Sequence, residues 1–90
     1  MPKYVIERDM PGVGALSPAE LHTASAKSNA VLAELGGRVQ WVQSYVTGDK
    51  IFCVYIAEDA ELIHEHARGA GLPANAVRQV GTIIDPTTGE

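Results

Sequence analysis

The stretch "RVQWVQSYVTGDKIFCVYIA", residues 38–57, constrains this chain more than any other. Its two halves are rich in β-branched and aromatic residues, and the "TGD" between them places Gly48 where a turn tolerates positive φ, so the pattern predicts a β-hairpin. The elements on either side of the hairpin decide the fold.

Upstream, "KYVIERD" reads as a strand over Lys3 to Asp9, broken by the Pro and Gly of "MPGVG". "LSPAE" is a helix-start signal: Ser17 can cap, Pro18 suits the first helical position, and Glu20 falls three residues after Ser17 to close a capping box. Leu21, Ala24, Ser28, Val31, Leu32 and Leu35 then form one stripe at helical spacing, ended by Gly36 and Gly37. Downstream, Asp59 can cap a second helix whose buried side carries Leu62, Ile63, Ala67 and Ala70, and "GAGLP" stops it. The last strand, "AVRQVGTIID", ends at Pro86.

The order is β-α-β-β-α-β, which predicts an α+β ferredoxin-like fold: one antiparallel sheet with two helices on a single face. Period-two bookkeeping places Tyr4 and Ile6 under the helices and leaves Val5, Glu7 and Asp9 on the open face. In the third strand the all-hydrocarbon set Phe52, Val54 and Ile56 is expected under the helices, with Ile51, Cys53 and Tyr55 opposite. In the second strand Val42 and Val46 are expected inward, with Trp41, Gln43 and Tyr45 outward. The open face would then carry Trp41, Tyr45, Cys53 and Tyr55 beside two acids, a surface suited to a ligand pocket, a homodimer interface, or both.

Ninety residues make one small domain, over 3–86, with a polar tail over 87–90. A chain of that size buries only roughly 60 to 65% of its unfolded surface, and a second copy could supply the missing burial. The net charge of -4 argues against nucleic acid and mildly favours cations as partners. No run approaches a membrane span, the N-terminus enters a strand directly, and a single cysteine, Cys53, suits a reducing compartment. The expected location is the cytoplasm.

"IHEHARGAG" holds two of the three histidines, but on a helix positions two apart do not converge, so this is not an HExxH-type metal clamp. His66 falls on the buried side, where it is a packed core histidine, a ligand or a general base. His64 points to water, with Glu61 three before it and Arg68 four after it, which makes either a two-ligand platform or a solvated helix face. Glu7 and Asp9 share a strand face; they could bind a transition ion, one of them could serve as a base in an aromatic pocket, or both could be solvated. No phosphate loop, nucleophile elbow, CxxC or triad partner for Cys53 is present, so a binding protein is favoured over an enzyme.

Four stretches, "YVIERDMPG", "WVQSYVTGDKIFCVYIAED", "EHARGAGLPANAV" and "IIDPTT", together resemble a family of small bacterial ferredoxin-like dimeric proteins, formerly a domain of unknown function and known as nickel-binding. The resemblance runs from Tyr4 to Thr88, with Glu7, Tyr45, Cys53, Tyr55, Glu65 and His66 matching its recurrent pattern. It implies a homodimer that binds a nickel ion for sequestration or homeostasis. The candidate metal ligands are Glu7 and His66, followed by Asp9, His64, Glu61 and Cys53. The alternative is a small-molecule enzyme or ligand-binding dimer whose pocket on the open face holds Trp41, Tyr45, Cys53 and Tyr55, with Glu7 or His66 as acid or base.

Overall fold

The computed structural model describes residues 1–90. Its elements are β1 (Lys3–Asp9), α1 (Pro18–Glu34), β2 (Val39–Val46), β3 (Lys50–Ala57), α2 (Ala60–Ala70) and β4 (Ala76–Gln79). The four strands form one sheet in the order β2-β3-β1-β4, with every neighbouring pair antiparallel. This is the expected ferredoxin-like α+β architecture.

Local chemistry sets the helix ends. The Glu20 amide donates to Ser17 Oγ at 3.2 Å while the Ser17 amide donates to Glu20 Oε1 at 3.0 Å, which completes the capping box of α1. Asp59 accepts from the Leu62 amide at 3.0 Å to cap α2, and Gly71, at φ 69°, ends it in the left-handed conformation that costs glycine least. On α2 the buried residues are Leu62, Ile63, His66, Ala67 and Ala70, the stripe read from the spacing.

The face assignment of β3 is the reverse of the expectation. Tyr4 stands opposite Tyr55 and Ile6 opposite Cys53, and residues opposite one another in an antiparallel pair share a face. Cys53, Tyr55 and Ala57 therefore lie under the helices in the core with Tyr4, Ile6, Val39, Leu62 and Ile63, while Phe52, Val54 and Ile56 lie on the open face. Both faces of this strand are apolar, so alternation alone does not say which goes under the helices. The register with β1 says it, because Glu7 and Asp9 must stay in contact with water.

In β2 the phase changes partway along. Trp41 pairs with Tyr55 but Gln43 pairs with Val54, so Val42 is the extra residue of a β-bulge. Before the bulge Val39 and Trp41 face the helices; after it Ser44 and Val46 do. Trp41 therefore lies on the helix side, where its indole N–H donates to Ser44 Oγ at 2.9 Å, and Val42 is exposed rather than in the core. Gln43 and Tyr45 are on the open face, as expected.

The last strand is shorter than its sequence suggested. The Val80 amide donates to the Lys3 carbonyl at 2.8 Å as the last rung on this side, while the Pro2 carbonyl turns to the other neighbour and accepts from the Ala57 amide at 3.0 Å. The chain leaves the sheet there, and Ile83 and Ile84 end up 66% and 76% exposed. Asp85 caps a short 3-10 turn over Pro86–Gly89.

Helix α1 sits lightly on the sheet. Ser28 is its one fully buried residue, while Leu21, Val31 and Leu32 are half-buried and Ala24 is exposed. It meets α2 where Ser28 Oγ lies 2.9 Å from His66 Nε2 and where a Cβ on Gly69 would stand 2.9 Å from Val31 Cγ1. Elsewhere the gap between α1 and the sheet holds a cavity of about 210 Å³. No helix is long and apolar enough to cross a membrane.

Candidate functional site

Two groups of polar side chains stand on opposite faces of the sheet, and β1 supplies both through its alternation. Tyr4, Ile6 and Arg8 point toward the helices; Glu7 and Asp9 point away.

Beneath the helices, Arg8 is fully buried. Its Nε donates to Cys53 Sγ at 3.4 Å, Nη1 to the Pro73 carbonyl at 2.6 Å and Nη2 to Tyr55 OH at 3.5 Å. The guanidinium carbon stands 5.9 Å from the centre of the Tyr55 ring. None of the chain's ion pairs includes Arg8, so its charge is buried without a carboxylate. Sequence reasoning missed this residue. The signal was present, since a charge in phase with Tyr4 and Ile6 on a strand is a charge placed in the core.

His66 lies against the same group. Its ring packs on Tyr55 with centroids 5.3 Å apart, Nε2 is 2.9 Å from Ser28 Oγ, and Nδ1 is buried with no partner. Burial first and the Arg8 charge second hold its pKa below the ordinary 6.5, opposed by the Ser28 bond. Burial also pushes the Tyr55 phenol up, with the neighbouring Cys53 adding to the shift, so it stays a neutral hydroxyl.

The sign of the pH dependence follows. The unfolded chain takes a proton on this histidine near pH ~6.5 while the native chain resists it, so stability falls as pH drops below that point. The slope attributable to one such group is at most about 1.4 kcal/mol per pH unit. Urea denaturation of the wild-type protein from pH 7.5 to 5.5 should show this decline, and His66→Gln should remove it. Equal slopes in the two proteins would contradict the assignment.

On the open face, Lys50 gathers both acids of β1: its Nζ lies 3.2 Å from Glu7 Oε2 and 2.7 Å from Asp9 Oδ1. These bonds, Asp9's first, raise the Lys50 pKa. All three side chains keep roughly 40–50% of their exposure, so these are solvent-exposed ion pairs of the weak kind.

The remaining candidates do not join either group. Glu61 pairs with Arg68 at 3.3 Å on the exposed face of α2, and His64, half-buried on the same helix, has no hydrogen-bonded partner. Glu65 is exposed. Tyr45 OH accepts from Gln43 Nε2 on the open face, away from the cavity. Trp41, Cys53 and Tyr55 do line one cavity, but it lies on the helix side rather than on the open face where it was expected. Nowhere do three or more His, Cys, Asp or Glu side chains come together.

The sequence matches, over residues 4–80, the family model described as "Nickel responsive protein SCO4226-like". The fold is similar to the crystal structure of SCO4226 from Streptomyces coelicolor A3(2), with a TM-score of 0.76 at 20% sequence identity, covering 91% of this chain and 99% of that one. Likeness at that identity carries the fold and leaves residue roles to the local chemistry. No curated protein matches the chain.

Proposed function

The chain belongs to the SCO4226-like family of nickel responsive proteins, and from that premise we propose that it binds nickel(II) at Glu7 and Asp9, as a homodimer joined through the open sheet face. The observation that carries this reading is the convergence of both carboxylates on one cation, now the Lys50 ammonium. Nickel(II) accepts carboxylate oxygen and fills its remaining positions with water or further donors. One chain supplies two donors here, and no third His, Cys, Asp or Glu stands with them. Water or the second copy completes the shell.

His66 and Cys53 are poorer choices for a dication. Both touch the environment of a buried guanidinium, and a second positive centre there would meet like charge in a medium that screens it weakly. His64 and Glu61 do not converge on a shared cation: Glu61 pairs with Arg68 and His64 has no hydrogen-bonded partner.

The homodimer is supported by the chemistry of the open face. Val5, Phe52, Val54 and Ile56 form an apolar strip across β1 and β3, and the same face carries Glu7 and Asp9 at one side and Arg78 opposite Val5 on β4. A patch with both charges around an apolar centre is self-complementary under a two-fold axis. The exposed Ile83 and Ile84 add apolar surface that a second copy would cover. Val54→Asp should therefore give a folded monomer by sedimentation velocity, with unchanged far-UV circular dichroism. A monomeric wild-type protein at the same concentration would contradict the dimer.

A role in nickel sequestration or homeostasis in the cytoplasm fits a site made for holding an ion. The test is calorimetric titration of untagged protein with nickel chloride. An imidazole must be neutral to coordinate, so a histidine site loses affinity as pH falls through ~6.5, whereas affinity here should be nearly constant from pH 8 to ~5.5. Lys50→Met should tighten binding about fivefold to thirtyfold, since a unit charge pair at 4 Å in water is worth ~1 kcal/mol and the ion carries two charges. Absence of binding, or a midpoint near 6.5, would overturn the reading.

A further inference from the structure

The cavity between α1 and the sheet has a chemical character that nickel does not explain. Its floor is made by Arg8, Cys53 and Tyr55 of the sheet with Ser28 of α1 facing them, and its walls are largely apolar, with Leu16 and Leu21 from the α1 side and Trp41 and Ile51 from the sheet. At about 210 Å³ it has room for roughly seven waters at ~30 Å³ each, enough for one ring or a short chain.

Arg8 is the unusual member. A guanidinium has five N–H donors, and three of them have partners: a thiol, a carbonyl and a phenol, none of them negatively charged. One N–H on each terminal nitrogen is left over, so the guanidinium has donor capacity that its protein partners do not use. A buried charge without a counter-charge costs stability, and its neighbours here satisfy geometry without neutralising it. Tyr55, buried at the same floor, holds a hydroxyl next to the guanidinium. The lightly packed α1 above leaves the space into which a counter-anion fits.

We propose that this cavity binds a small organic acid as its monoanion, with the carboxylate on Arg8 beside the Tyr55 and Ser28 hydroxyls and the apolar body among Leu16, Leu21, Trp41 and Ile51. The site is independent of nickel. It lies on the opposite face of the sheet from Glu7 and Asp9, and its occupant supplies the negative charge that the fold omits. The apolar walls select against inorganic anions, which would lose hydration there and gain no contact.

Trp41 is the chain's single tryptophan and lines the cavity, so its fluorescence reports occupancy directly. The probes are phenylacetate and its neutral counterpart phenylacetamide, titrated with EDTA present to remove metal. Phenylacetate should bind saturably and at least tenfold more tightly than the amide, and equimolar chloride or phosphate should not displace it. Arg8→Met should abolish the preference for the acid. Should that variant fail to fold, Tyr55→Phe and Ser28→Ala each remove one hydroxyl and should each weaken phenylacetate about threefold or more while leaving the amide unchanged. Equal affinity for acid and amide in the wild-type protein, no saturable binding by ~10 mM, a concentration that detects even millimolar affinity, or acid binding untouched by these variants would each overturn the proposal.

Discussion

Glu7→Gln combined with Asp9→Asn should lower nickel affinity by about 100-fold or more, since loss of even an outer-shell partner of a metal ligand costs 10–100-fold and here both anionic donors go. The replacement amides keep the size of the side chains and one oxygen each but lose the two negative charges that hold a cation between them. Lys50 would then be released from both acids, as nothing else within reach pairs with it. The fold should survive unchanged, because exposed ion pairs such as these contribute only about 0–1 kcal/mol. Each single variant should fall between the wild type and the pair. His64→Gln and Glu61→Gln, altered on a helix face where the two side chains do not converge, should bind nickel as the wild type does. Calorimetry on these five variants and the wild type, with circular dichroism as the control for folding, separates the two sets; a loss confined to the α2 variants would move the ion to that helix.

Tyr55→Ala should remove about 3–5 kcal/mol of stability, the usual range for deleting a buried aromatic ring. Tyr55 is 1% exposed and central to the core: its ring supports His66 on one side and Arg8 on another, and its hydroxyl accepts from the guanidinium. Without it a buried cation loses one of its three partners and the cavity left behind adds its own cost. Small domains have about 5–15 kcal/mol in total, so the loss is a large share. At ~4–8 °C per kcal/mol for a domain of this size, the melting temperature should fall by more than 10 °C. Urea denaturation should show the midpoint drop without a change in m-value. A loss below ~1 kcal/mol would mean that Tyr55 faces water and that the assignment of faces in β3 is wrong.

That assignment marks the boundary of what the sequence makes legible. Element order, the Ser17–Glu20 capping box, the Asp59 cap, the Gly71 stop and the buried stripe of α2 all rest on interactions within a few residues, and all are found in the structure. The faces of β2 and β3 rest on partners far away in sequence. In β3 both faces are apolar, and the pairing of Tyr4 with Tyr55 chooses between them. In β2 the bulge at Val42 reverses the phase, so the same strand shows odd-numbered residues to the core at one end and even-numbered ones at the other.

The candidate sites divide along the same line. Glu7 and Asp9 were readable as one face of a strand, but the lysine they share comes from β3, 41 residues after Asp9, and only the register brings it there. His66 was readable as an inward-facing histidine, while its Ser28 partner comes from α1. Arg8 was written in the alternation of "YVIERD" and passed over because a charged residue is ordinarily assigned to water. Its burial links Cys53, Tyr55 and His66 into one group under the helices and separates them from the carboxylates on the other side.

The most direct test of nickel at Glu7 and Asp9 is anomalous diffraction at the nickel edge from crystals of untagged protein soaked in nickel chloride. A single strong peak should lie between the two β1 carboxylates, with the Lys50 side chain turned away from them. A peak on His66 or His64 with none at Glu7 and Asp9, or no peak at all, would contradict it.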